Sequence, residues 1–300
     1  MRDDPVGRPI VYLLLWSLLF LYAVARFLQL CEGTVPMLAI VVLHVLPAAA
    51  FALVHGWITY RLRGILVFTG LCLGTATVFE SISLRTGFPF GHYFFTGLMG
   101  PKLFQLPVLL ALAYVGMGYI SWVLALLILG YTGKPLSGSR TVTVPIVASF
   151  IMVAWDLAMD PIWGTVRHAW IWRDGGAYFG VPVSNFLGWY LTVIVFYLLF
   201  AVFLRDRPAP QPTGASTHWR LPVLFYGVSV AGNLLLAIPR ASYAITDASG
   251  RQWMSSEIVG VCVLISLFVM MPFAAMAWIR LKDEEGNGAG LVQQRVDEAG

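Results

Sequence analysis

Three acidic side chains stand out from an otherwise apolar sequence: Glu80, Asp156 and Asp160. Asp156 and Asp160 are spaced i, i+4, which stacks them on one side of a helix. Pro161 follows directly and fits a helix that stops there. Two carboxylates at a helix C-terminus face the negative end of its dipole, and burial disfavours their ionised forms further. A carboxyl group that keeps its proton near neutral pH is a proton donor. Glu80 opens the stretch ESISLRTGFPFGHYFF, which adds Phe90, His92 and Tyr93; Trp155 precedes Asp156, and Asn185 and Trp189 follow in SNFLGW. Carboxyl groups set among aromatic rings suit acid–base or carbocation chemistry, in which a ring face stabilises a cation. A single carboxylate near a membrane interface can simply be hydrated, and Glu80 could pair with Arg85. Three that converge on one face of a helical bundle favour a site.

Other chemistries lack their residues. The histidines, His44, His55, His92, His168 and His218, are scattered rather than set at the close helical spacings of a membrane di-iron centre. His44 reads as a helix–helix hydrogen-bonding residue, and His55 and His218 carry no signal. There is no phosphate-cradling loop, no dinucleotide fingerprint and no Gly-x-Ser-x-Gly elbow. The three cysteines, Cys31, Cys72 and Cys262, are far apart and suit packing rather than a disulfide framework or a metal site. The expectation is chemistry without metal or redox cofactor.

The elements that must position these residues follow from hydropathy. The 300 residues are 59% hydrophobic and 11% charged, with mean hydropathy +0.79. A hydrocarbon core of roughly 30 Å takes about 20 apolar residues to cross. Eight such runs occur, near 10–30, 37–60, 64–84, 105–130, 142–160, 182–204, 220–238 and 257–281. The fold class is therefore all-α, a polytopic membrane bundle of about eight helices, with 1–281 as a single membrane domain. Ala23-Val24-Ala25 resembles a cleavage site, but the weakly basic start and the later spans argue for an uncleaved first helix. The proline-rich segment 205–219 is expected to be a flexible loop, and 282–300 a disordered polar tail. Gly70 and Gly74 form a small-xxx-small face.

Alternation of spans supplies the strongest inference. Glu80 ends the third run, Asp156 and Asp160 end the fifth, Asn185 opens the sixth and His44 lies early in the second, so all belong to one membrane face. The loops 85–104 and 161–181 lie on that face too. Trp163, Trp170, Trp172, Tyr178 and Phe179 suit an interfacial aromatic belt. Twelve of the 19 Lys and Arg fall on the side of the termini, which places both termini in the cytoplasm. The net charge of +4 points to no nucleic-acid partner.

The blocks ESISLRTGFPFGHYFF, WDLAMDPIWG and YFGVPVSNFLGWYL resemble the signature segments of carotenoid biosynthesis membrane proteins of the CruF-type carotenoid 1',2'-hydratase family. They run from Glu80 to Leu191. The resemblance implies addition of water to the terminal C1'–C2' double bond of an acyclic carotenoid held in the bilayer. It also implies a bacterial inner-membrane location and contact with other enzymes of the pathway. In that chemistry Asp156 or Glu80 protonates C2', and the other, or Asp160, positions and deprotonates water. Phe90, Tyr93, Trp155 and Trp189 line the end-group pocket, and Asn185 and His92 hold water or a carboxylate. Rival readings are a carotenoid end-group cyclase, a Mg-dependent intramembrane prenyltransferase drawing on the Asp156-x-x-x-Asp160 spacing, and a proton-coupled transporter.

Overall fold

The structure is a computed structural model, and it describes residues 7–31, 33–205, 207, 215–238 and 241–299. Among the described residues, seven helices are long and apolar enough to cross a membrane. They include α1 (Gly7–Leu28), α2 (Met37–Thr86), α3 (Val108–Ile128), α4 (Arg140–Asp160), α5 (Val183–Leu204) and α6 (Ala215–Leu234). The last is built from α7 (Ser255–Ile265), a π-helical turn (Ser266–Met270) and α8 (Met271–Ala299).

The second of these helices is two crossings. Its 50 residues would extend about 75 Å as one rod, more than twice the hydrocarbon thickness. Arg61 leaves helical conformation (φ 60°, ψ 171°), and a Cβ placed on Gly56 would collide with the side chain of Ile65. In a continuous helix those positions would be separated by roughly 13 Å of rise. The chain therefore turns back at Arg61, and the runs expected at 37–60 and 64–84 are the two arms of a helical hairpin.

α3 is the centre of the bundle. Of its apolar window 83% is buried, against 22–56% for the other spans. Gly116 permits a close crossing with α2, since a Cβ there would meet the backbone of Ala48 at 2.9 Å. The outer helices keep apolar side chains exposed, among them Leu13, Phe20, Leu187 and Phe268, as lipid contact requires. His55 and His218 also serve this packing. Their rings stack at 3.8 Å, while His55 Nδ1 meets Tyr119 Oη at 2.7 Å and His218 Nε2 meets Thr59 Oγ1 at 2.9 Å, joining α2, α3 and α6.

Three boundaries differ from expectation. α4 does not stop at Pro161; a π-helical turn (Pro161–Val166) carries it on, because a widened turn accommodates the ring and the missing N–H of proline. α6 begins at Ala215, within the segment expected to be a loop, because His218 and Trp219 are buried against the bundle. The core of that expected loop, 208–214, lies outside the described residues. The polar segment 282–300, expected to be disordered, continues α8 as helix to Ala299. Arg220 pairs with Glu285 at 2.6 Å and Thr132 donates to Glu284 at 3.2 Å, which ties its first turn to the bundle.

On one face of the bundle the loops carry short strands. β1 (Tyr93–Phe95) pairs antiparallel with β4 (Trp170–Trp172), so the connection after α2 and the one after α4 become a single ribbon. β2 (Lys102–Leu103) pairs with β3 (Leu106–Pro107), and β5 (Ala244–Thr246) with β6 (Gln252–Met254).

Candidate active site

The second arm of α2 ends in a tight turn that sets the first wall of the site. Gly87 caps the helix in the left-handed region (φ 81°), and the chain folds back so that Ser83 Oγ donates to Gly91 O (3.2 Å). Ser184 Oγ, at the start of α5, donates to Phe90 O (2.9 Å). Gly188 makes this docking possible, because a Cβ there would meet Phe90 Cδ1 at 2.6 Å. The turn thus holds Phe90 fully inside, beside the first residues of α5.

The ribbon forms the lid. Strand side chains alternate between faces, so Tyr93 and Phe95 point inward from β1, and Trp170 and Trp172 point inward from β4. Tyr93 lies opposite Trp172, and Phe95 opposite Trp170. Trp170 and Trp172, which composition alone would place in an interfacial belt, are each only 6% exposed.

Beneath this lid the three carboxyl groups come together. Glu80, Asp156 and Asp160 are 3%, 0% and 0% exposed and lie close enough to interact electrostatically. Glu80 lies six residues before the end of its helix at Thr86, and Asp160 six before the end of its own at Val166, so each sits about 9 Å inside its helix end. Each carboxyl group has a different environment. Glu80 accepts hydrogen bonds from the hydroxyls of Tyr93 and Tyr114, the latter at 3.1 Å. Asp160 accepts from Trp170 Nε1 at 2.8 Å and from the amide of Asn185. That amide also donates to Asp156 Oδ2 at 3.2 Å, so one side chain bridges both aspartates. Asp156 Oδ1 is buried without a partner. Among the described residues no lysine or arginine reaches ion-pair distance of the three carboxyls.

Burial, and then the neighbouring Glu80 carboxyl, hold the phenol of Tyr93 well above its ordinary range, so it remains a hydrogen-bond donor. Glu80 and Asp160 line a small chamber with Phe90, Tyr93, Asn185 and Trp189. Asp156 lies behind Asn185. The ring of Tyr114 stacks on Trp189, with centroids 4.3 Å apart and planes 8° from parallel.

Next to the chamber is a larger apolar cavity of about 810 Å³, counting its open mouth. Leu110 and Trp170 line both spaces. Trp155 belongs to the larger one, edge-on to Trp189 at 6.4 Å.

Of the residues singled out in the sequence, Glu80, Phe90, Tyr93, Asp156, Asp160, Asn185 and Trp189 converge, and Trp155 lines the adjoining cavity. His92 does not join them. Its side chain is 56% exposed and pairs with Asp174 at 2.8 Å on the outer rim, because strand alternation that turns Tyr93 inward turns His92 outward. Arg85 makes no ion pair with Glu80. Sequence reasoning missed Tyr114, Trp170 and Trp172. The alternation in Trp-Ile-Trp was a usable signal for the last two, whereas Tyr114 lies in a helix apolar all round and gave none.

A family model described as "Carotenoid biosynthesis protein" matches residues 36–250. One curated relative, the bisanhydrobacterioruberin hydratase of Haloarcula japonica, is 31% identical over 136 residues, which is 44% of this chain and 44% of that protein. The alignment thus spans less than half of that relative's length. No solved structure matches.

Proposed function

Taking as premise that this chain belongs to the carotenoid biosynthesis protein family, we propose that it hydrates the terminal C1'–C2' double bond of an acyclic carotenoid end group within the membrane. The observation that carries this reading is the placement of Glu80 and Asp160 in one aromatic chamber, each held by a different kind of hydrogen-bond partner. Hydration of a trisubstituted alkene needs a proton donor, shelter for a tertiary cation and one water molecule.

The partners assign the roles. Asp160 faces an indole N–H and an amide N–H, which can only donate, so its oxygens are held as acceptors. Glu80 faces two tyrosine hydroxyls, which can reverse from donor to acceptor. Glu80 is therefore the group able both to carry a proton and to release it. It protonates C2', leaving a tertiary cation at C1'. The faces of Trp170, Trp172 and Trp189 stabilise that cation; a desolvated cation–π contact contributes roughly 2 kcal/mol or more. Water attacks C1', and Asp160 takes its proton as the C–O bond forms. Transfer of that proton back to Glu80 across the chamber restores the starting state, so alkene and water give a tertiary alcohol with no net change in the protein. Asp156 acts through Asn185, which it helps to hold.

The adjoining apolar cavity takes the hydrocarbon chain beyond the reacting end. With both termini in the cytoplasm, the chamber opens on the opposite face of the membrane. The deciding experiment is expression in a host that makes acyclic carotenoids, grown in H₂¹⁸O under ordinary O₂. The expected product carries ¹⁸O in a new tertiary hydroxyl. An unlabelled hydroxyl means an oxidative hydroxylase, and a cyclised end group means capture of the cation by an alkene; either outcome overturns the reading.

A further inference from the structure

A groove of about 520 Å³, counting its open mouth, lies on the loop face of the bundle, outside the lid. Gly164 and Thr165 of the π-helical turn, His168, Trp172 of β4, and Thr246 and Asp247 of the β5–β6 hairpin line it. His168 and Thr246 are exposed, so the groove opens to the aqueous phase. Its inner end reaches the carboxyl chamber in two places. Trp172 lines both spaces. Gly164 lines the groove and also abuts the chamber, because a Cβ on it would lie 3.2 Å from Asp160 Oδ1 and 2.8 Å from Trp170 Nε1.

Hydration consumes one water molecule in each turnover, and the two spaces beside the chamber differ in how they could deliver it. The larger cavity meets the chamber at Leu110 and Trp170, an aliphatic side chain and an indole that already donates to Asp160. Water occupies space that offers polar partners and leaves apolar space dry. The groove offers such partners, since Thr165, His168, Thr246 and Asp247 bring hydroxyl, imidazole and carboxylate groups to it. It also arrives at the carboxyl group that needs the water. Asp160, held as an acceptor, is the one beside Gly164, whereas Glu80 is engaged by Tyr93 and Tyr114. Trp172 is only 6% exposed and packs on Tyr93 at 4.8 Å, so the partition is closed at rest and one indole must shift to open it.

We propose that this groove is the water intake of the enzyme and that Trp172 is the gate between it and Asp160. The fate of the water rests on the hydration reading: past Trp172 it gives its proton to Asp160 as its oxygen bonds to C1'. The carotenoid reaches the same chamber through the larger cavity, on the other side of Trp170. The two substrates therefore enter by separate routes, one aqueous and one apolar, and the lid keeps bulk solvent out while admitting single water molecules.

Water beside an indole can be read without turnover, by brief X-ray radiolysis of the purified protein in phosphatidylcholine nanodiscs and mass spectrometry of tryptophan oxidation. Trp122, fully buried in α3, sets the baseline, and Trp172 should be oxidised well above it. Ala248→Phe and Thr246→Phe fill the groove from exposed positions on its rim. Each should bring Trp172 down to the baseline and lower kcat by on the order of tenfold with KM for the acyclic carotenoid unchanged, the pattern of a step impaired after that substrate has bound. Arg251→Phe, on the same hairpin but outside the groove, should do neither. Baseline oxidation of Trp172 in the native protein overturns the proposal, and so do unchanged oxidation and kcat in the filled variants. A raised KM with kcat unchanged also overturns it, since the groove would then serve the carotenoid. Equal effects of Arg251→Phe overturn it as well, by assigning the loss to the hairpin rather than the groove. Failure of the isotope experiment with the oxidation pattern intact would sink the hydration reading alone; hydration with Trp172 at the baseline would sink only this proposal.

Discussion

Tyr93 and Trp172 face each other across the β1–β4 ribbon, their ring centroids 4.8 Å apart, and the Tyr93 hydroxyl reaches down to Glu80. A single cross-strand pair therefore joins two loops that are far apart in sequence, closes the chamber from above and contacts its carboxyl floor. Aromatic pairs of this kind contribute about 0.5–1.5 kcal/mol beyond the area they bury. The lid and the acid are accordingly one mechanical unit.

Tyr93→Phe keeps the ring packing and removes the hydroxyl. Stability should fall by about 1–3 kcal/mol, because Glu80 loses a buried donor, and hydrated product by on the order of a hundredfold as proton handling is impaired. Chromatography of pigments from the expressing cells reads the second effect, and thermal unfolding in detergent the first. Unchanged product would remove Tyr93 from the proton path.

The three acids should not respond alike. Glu80→Gln abolishes product because the transferable proton is gone, and Asp160→Asn does the same because water loses its base. Asp156→Asn, one layer behind Asn185, should leave measurable product. A silent Asp156→Asn beside an active Glu80→Gln would reverse the assignment. Membrane abundance of each variant, measured by immunoblot, separates chemistry from folding.

Gly188→Ala tests the docking of the turn onto α5. The added Cβ would lie 2.6 Å from Phe90 Cδ1 and 3.0 Å from Pro89 C, and neither the ring held inside nor the backbone can yield cheaply. Overpacking of this kind costs about 1–3 kcal/mol. The expected result is a membrane-inserted protein with a displaced Phe90 and product reduced by more than tenfold; wild-type activity would show that the turn adapts.

Asn185→Ala leaves both aspartates without their common donor. Each buried acceptor so orphaned costs about 1–3 kcal/mol, so the apparent melting temperature should drop further than in Asp156→Asn. A smaller drop than in Asp156→Asn would mean that Asn185 does not hold the pair together.

The hairpin formed by β5 and β6 should loosen in acid. Partial burial pushes the Asp247 carboxyl upward, but hydrogen bonds from Ser249 and from Trp253 Nε1 outweigh it and hold the group below its ordinary value. The sign follows from the unfolded reference near 3.9: the contribution is present above about pH 4 and is lost as pH falls through the lower, folded value. Trp253 fluorescence should change below about pH 4 in the native protein, and Asp247→Asn should lack that transition.

How far the sequence reaches is clearest from particular residues. The two apolar runs that became the arms of α2 were readable because insertion depends on summed hydropathy, and the polar break at Arg61 divides them. Convergence of Glu80 with Asp156 and Asp160 was readable from the alternation of spans, which needs no knowledge of how any helix is rotated. The inward turn of Tyr93 and the outward turn of His92 were not, because neighbouring residues take opposite faces only once a strand forms. That strand exists because β4, some 75 residues further on, pairs with it. Pro161 misled for a related reason: the ring ends a regular α-helix, but a bundle that buries Ile162, Gly164 and Thr165 can sustain a widened turn.

The sequence by itself determined that this chain lives in a membrane, roughly where it crosses, and on which common face its acidic groups lie, since those properties are sums over local composition. Only the tertiary structure decided that Glu80 meets tyrosine hydroxyls while Asp160 meets an indole and an amide, and that Asp156 stands behind Asn185. Those pairings depend on the rotation of each helix and the register of one short ribbon, and both are set by packing against neighbours distant in the chain.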